Sequence, residues 1–68
     1  MKIKILLHSE LKRISAKWIY AHRNDTTPIL HRPSGRIVEI WRDDMMNIYC
    51  APSEADDGMY TELETLDF

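Results

Sequence analysis

The sequence predicts one small α+β domain: an N-terminal strand, one amphipathic helix and a three-stranded antiparallel meander. Three observations predict it. Residues 1–7 alternate apolar and polar at the period of a half-buried strand. Residues 10–22 place Leu11, Ile14, Trp18 and Ala21 within one helical stripe, with Lys12, Arg13 and Lys17 opposite. The stretch Ile29 to Met46 joins turn chemistry at Pro33-Ser34-Gly35 to a β-branched and aromatic run, Ile37, Val38, Ile40 and Trp41. The domain covers residues 1–52. Residues 53–68 form an acidic C-terminal segment, docked on the sheet or partly disordered. The alternative is a small all-β barrel in which residues 14–22 are a strand, because Ile14, Ala16, Trp18 and Tyr20 also alternate.

The first strand carries Met1, Ile3, Ile5 and Leu7 on one side and Lys2, Lys4 and Leu6 on the other. Lysines in a strand suit an edge, where charge discourages pairing with another chain. Ser9 is a good N-cap for the helix, and Glu10 suits the positive end of its dipole. After the helix, Asn24 to Pro28 read as a loop, and Pro28 biases Thr27 away from helix.

In the hairpin, Pro33 presets the first turn dihedral and Gly35 supplies the left-handed position that closes a three-residue loop. If Arg32 and Arg36 flank it, His31 pairs with Ile37, Leu30 with Val38 and Ile29 with Glu39. Asp43-Asp44 reads as a second tight turn, opening a strand from Met45 to Cys50. That register pairs Trp41 with Met46, Glu39 with Ile48 and Ile37 with Cys50. One face then collects Ile29, Ile37, Trp41, Met46, Ile48 and Cys50. The other collects Leu30, Val38, Ile40 and Tyr49. Residues 54–58 read as an exposed acidic loop. For residues 59–68 a short helix or irregular segment is favoured over the strand that Tyr60, Glu62, Glu64, Leu66 and Phe68 also permit by alternation.

Composition narrows the function. A chain of 68 residues buries only about 60% of its unfolded surface, and one core of this size supplies roughly 3–5 kcal/mol. With Cys50 as its single cysteine, it has no internal disulfide. That usage favours a reducing compartment. No apolar run approaches the roughly 20 residues needed to cross a bilayer, so no membrane partner is expected. The opening Met1 to Leu7 is too short and too soon followed by charge for a signal peptide. The expected location is cytoplasmic.

The net charge of −2 hides an asymmetry. Residues 1–36 hold eight Lys/Arg against Glu10 and Asp25, whereas residues 37–68 hold Arg42 alone against nine acids.

No arrangement of catalytic residues stands out. His8, His22 and His31 fall at a strand end, a helix end and in the hairpin, with no spacing that makes an acid–base pair. Nor do close ligand pairs suggest zinc. With only Gly35 and Gly58, the chain has no Gly-rich phosphate loop. No cofactor and no metal are expected, and the chain is read as not an enzyme.

The faces carry the functional expectation. One helix covers one face of a sheet, and here both faces are substantially apolar. The second needs the C-terminal segment, another copy of the chain or a different protein. The sequence therefore suggests a small non-enzymatic binding protein acting stoichiometrically on a larger protein partner, as regulator, inhibitor or accessory subunit. The candidate contacts are Leu30, Val38, Ile40 and Tyr49, with Trp41 as an aromatic anchor if the other face is the one left open, and a homodimer is a second use of such a face. The alternative is a nucleic-acid module using Lys12, Arg13, Lys17, Arg32 and Arg36.

Overall fold

The alternation of Ile3, Ile5 and Leu7 with Lys2, Lys4 and Leu6 becomes strand β1 (Lys2–His8) in the computed structural model, which describes residues 1–54 and 58–67. A 3-10 turn follows (Ser9–Leu11), then α1 (Ala16–Ala21), β2 (Ile29–His31), β3 (Arg36–Arg42), β4 (Asn47–Pro52) and β5 (Tyr60–Asp67). The five strands make one mixed sheet in the order β2-β3-β4-β1-β5. β1 lies parallel to β4, and the other neighbours are antiparallel.

The architecture corrects the expected one in several places. β2, β3 and β4 do run antiparallel in succession, but inside a five-stranded mixed sheet rather than as a separate three-stranded meander. β2 and β5 remain as edges, so the sheet is no closed barrel, and the barrel's strand over residues 14–22 is absent. β1 is not an edge strand. Its lysines lie on the side away from the helix, where both stay exposed and Lys4 pairs with Glu62 at 3.4 Å. Tyr60–Asp67 is neither helical nor irregular. It pairs with β1 from Lys2↔Asp67 to His8↔Tyr60, with a bulge after Ile5. The bulge lets Leu63 as well as Leu66 pack against the core, although one extra residue breaks the alternation. Residues 55–57 of the expected acidic loop, and Phe68, lie outside the described residues.

The helix is shorter than its sequence stripe. Ser9 does not cap it. Instead the His8 ring accepts from the Glu10 amide at 3.2 Å and starts the 3-10 turn. Leu11 and Ile14 are three apart, so the tight turn sends both into the core. Ser15 then opens α1, its hydroxyl accepting from the Trp18 amide at 3.1 Å. α1 buries Ala16 and Ile19, while Ala21 is exposed and Trp18 only half-buried. Six residues cannot hold a helix by hydrogen bonding alone, so packing holds this one.

Both hairpin registers differ from expectation by an odd number. The first loop has four residues, Arg32 to Gly35, because the His31 carbonyl accepts from both Ser34 (3.2 Å) and Gly35 (2.8 Å). Gly35 takes the left-handed position, φ 72°. Pairs are then Ile29↔Val38, Leu30↔Ile37 and His31↔Arg36. The second loop runs from Asp43 to Met46. The Asp43 carboxylate accepts from the Met45 and Asn47 amides (2.8 and 3.1 Å), and Met46 takes φ 67°. Trp41 therefore pairs with Tyr49, Glu39 with Ala51 and Ile40 with Cys50. An odd slip exchanges the two faces of a strand.

One face of the sheet thus packs Ile3, Ile5, Leu7, Val38, Ile40, Ile48 and Cys50 against Leu11, Ile14, Ala16 and Ile19. Burial pushes the Cys50 thiol up to about 12, which keeps it protonated and inert. Ser15→Ala removes the cap of a helix that has little else to start it. Loss of about 1 kcal/mol is expected, read as a lower urea midpoint with unchanged slope.

Candidate functional site

The opposite face of the sheet has no element above it among the described residues. Alternation and register place Leu30 on β2, Ile37, Glu39 and Trp41 on β3, Tyr49 and Ala51 on β4, Lys4, Leu6 and His8 on β1, and Tyr60 and Glu62 on β5 there. Three bulky members stay in water, Leu30 at 50% exposed, Ile37 at 54% and Trp41 at 40%, whereas Leu6, Tyr49 and Tyr60 are half-buried and His8 and Ala51 are buried.

Aromatic rings form its centre. Trp41 and Tyr49 are cross-strand partners and stack with centroids 5.5 Å apart and planes 11° apart. Tyr60 stands edge-on to Tyr49 at 5.3 Å and to Trp41 at 6.2 Å. The His8 ring lies edge-on to Tyr60 at 5.8 Å. Such pairs add to their area burial by about 0.5–1.5 kcal/mol each.

Two anchors hold these rings. The Tyr49 hydroxyl donates to Asp43 Oδ2 at 2.9 Å, and the Asn47 side-chain amide donates to the same oxygen at 3.1 Å. Desolvation draws the Asp43 carboxyl upward, but the bonds from Asn47, Tyr49 and Met45 outweigh it and hold its pKa below the ordinary 3.8. Tyr49 is raised above 10.0, first by its bond to Asp43 and then by desolvation. The second anchor is Gly58. A Cβ there would overlap the imidazole of His8, a buried ring already held by the Glu10 amide.

The structure divides the sequence-derived contacts. Leu30, Trp41 and Tyr49 share the open face. Val38 and Ile40 do not: they are 0% and 8% exposed and lie under α1, because the odd register slip turned them inward. Ile37, Tyr60 and His8 join the face without having been singled out as contacts. The alternation of Tyr60 with Glu62 was the available signal for Tyr60. Nothing in the sequence marked His8, whose place depends on β5 pairing with β1.

The basic candidates are also divided. Lys12, Arg13 and Arg36 line one cleft beside the 3-10 turn, with Glu10 bridging to Arg36 at 3.3 Å. Lys17 on α1 and Arg32 in the hairpin loop are exposed and lie outside that lining. Among the described residues no group of three His, Cys, Asp or Glu side chains is placed to hold a metal. No helix is long and apolar enough to cross a membrane. No protein-family model, curated protein or solved structure matches the chain.

Two outcomes follow from the anchors. The folded Asp43 pKa lies below its unfolded value, so its stabilisation is present above the unfolded pKa and lost as pH falls through the folded one. Asp43→Asn should flatten the acid limb of a stability–pH curve below about pH 4 and return the Tyr49 phenolate midpoint, read by NMR, toward 10.0. Gly58→Ala should cost about 1–3 kcal/mol by overpacking against His8, measured by urea unfolding.

Proposed function

We propose that this chain is a small non-enzymatic binding protein that acts stoichiometrically on a larger protein partner, as regulator, inhibitor or accessory subunit, through the open face of its sheet. The uncovered aromatic face carries this reading. The C-terminal strand extends the sheet at its edge instead of folding over it, so the chain's own described residues leave Leu30, Ile37 and Trp41 exposed, beside the half-buried Tyr49 and Tyr60. Aromatic side chains held rigid at the centre of a mixed polar rim are the usual energetic anchors of a protein interface. The rim is close to balanced: Lys4 pairs with Glu62, and Lys2 stands opposite Asp67.

That balance argues for a protein partner ahead of a nucleic acid. A module that stacks bases on aromatic rings sets cations beside those rings to track the phosphates. Here Lys12, Arg13 and Arg36 stand together elsewhere, at the cleft by the 3-10 turn. A second copy of the chain would use the same rings, and light scattering separates that case from a different partner.

The experiment is retention of a protein from native lysate by the tagged full chain, with and without nuclease, repeated with Trp41→Ala and Ile37→Asp. A defined protein retained after nuclease, with affinity reduced at least about tenfold by either change, is the expected result. Retention abolished by nuclease, or unchanged in both variants, overturns the reading.

A further inference from the structure

The basic cleft is built from two loops distant in sequence. Ser9 to Ile14 form one wall, and His31, Pro33, Ser34 and Arg36 form the other, around about 550 Å³. That is the size range of small-molecule sites. Lys12 and Arg13 are exposed side chains on one wall, and among the described residues neither makes an ion pair. Arg36 faces them from the hairpin and is held by the one acid of the lining, Glu10, at 3.3 Å. Among the described residues, three cations against one carboxylate leave the cleft positive in a chain whose net charge is −2.

The walls are well supported. His31 is buried, its Nδ1 is 2.6 Å from the Ser34 hydroxyl, and the edge of its ring meets Trp18 with centroids 4.7 Å apart. The Ser34 hydroxyl also accepts from the Arg36 amide at 3.2 Å, which fixes the root of that arginine. Leu11 and Ile14 anchor the opposite wall in the core. The arginine therefore projects from a braced hairpin, while the two remaining cations project from a braced turn.

We propose that this cleft binds a small phosphate monoester, with Lys12, Arg13 and Arg36 on the phosphate and the exposed Pro33 beside the organic body. Two guanidinium forks and an ammonium offer more donors than the two oxygens of a carboxylate can use, whereas a dianionic phosphate presents three terminal oxygens. Glu10 holds Arg36 at 3.3 Å, so an entering phosphate takes over a bond that the carboxylate makes. The inference is independent of the open-face reading, since the two sites share none of their argued residues.

The test is an amide NMR titration of the full ¹⁵N-labelled chain with adenosine 5′-monophosphate, inorganic phosphate and adenosine, at constant ionic strength. Saturable shifts confined to residues 9–14 and 31–36 are expected for the monophosphate, with inorganic phosphate weaker at the same amides and adenosine inert. Lys12→Ala with Arg13→Ala should weaken binding by about tenfold or more. Glu10→Gln should tighten it severalfold, a direction that damage to the fold does not produce. Lys2→Ala with Lys4→Ala, on the other side of the sheet, should leave it unchanged. Absence of saturation by about 10 mM, shifts spread evenly over all the cations, equal binding of adenosine, or indifference to Glu10→Gln overturns the proposal.

Discussion

Residues Lys2–His8 hydrogen-bond to a strand on each side, and both partners come from the far half of the chain. The parallel partner, β4, begins forty-three positions after Lys4, its register mate at Asn47. A parallel pair needs a long crossover, and the crossover here contains the 3-10 turn, α1, β2 and β3. Ile3, Ile5 and Leu7 are buried on an interior strand of the resulting sheet, between β4 and β5, and belong to the core cluster. Without β1 the β2-β3-β4 hairpins would lose the neighbour that completes their core face, and β5 would have nothing to pair with. Such non-local pairing closes long loops before any contact compensates them, which predicts slower folding than a helical chain of this length.

A second constraint is the small amount of helix. Six residues of α1, with Leu11 and Ile14 from the preceding turn, cover a five-stranded sheet on one side only. An antiparallel sheet tolerates one wet face when that face is polar. This one instead carries Leu30, Ile37, Trp41, Tyr49 and Tyr60, and its polar side chains lie mainly toward β1 and β5. The aromatic contacts among Trp41, Tyr49 and Tyr60 protect part of each ring from water, and Asp43 satisfies the Tyr49 hydroxyl. The face is thus partly shielded by its own rings and partly exposed at Leu30, Ile37 and Trp41.

The two halves of opposite charge also find their structural meaning. Cations of the first half meet acids at Lys4–Glu62 and, through the chain terminus, at Asp67. Within the first half, Glu10 meets Arg36. These are exposed pairs, worth little in stability. What they do is distribute charge: the open face is left near balance, whereas Lys12 and Arg13 remain grouped in the cleft. Among the described residues, part of the first half's positive charge is thus paired and part is grouped at the cleft.

Local chemistry was legible from the residues alone. The strand over Lys2–His8, the Gly35 turn, a helix somewhere within residues 10–22, which forms over Ala16–Ala21 only, and the β-character of Arg36–Arg42 follow from period, propensity and turn residues. The apolar character of both sheet faces was legible too, but not their membership: the expected registers put Trp41 on the face opposite Leu30 and Tyr49, and the observed Trp41↔Tyr49 pairing brings the three together. Tertiary structure decided the rest, because it depended on counts that local rules leave open. Whether Arg32 belongs to the loop or the strand, and whether Asp43 gathers two residues or four into its turn, changes a register by an odd number. That change sent Val38 and Ile40 into the core and brought Ile37 out. The strand pattern of Tyr60–Asp67 was present but broken by the bulge, so only pairing with β1 could select it. The cleft was beyond any local reading, since its walls meet only when residues 9–14 and 31–36 are folded against each other.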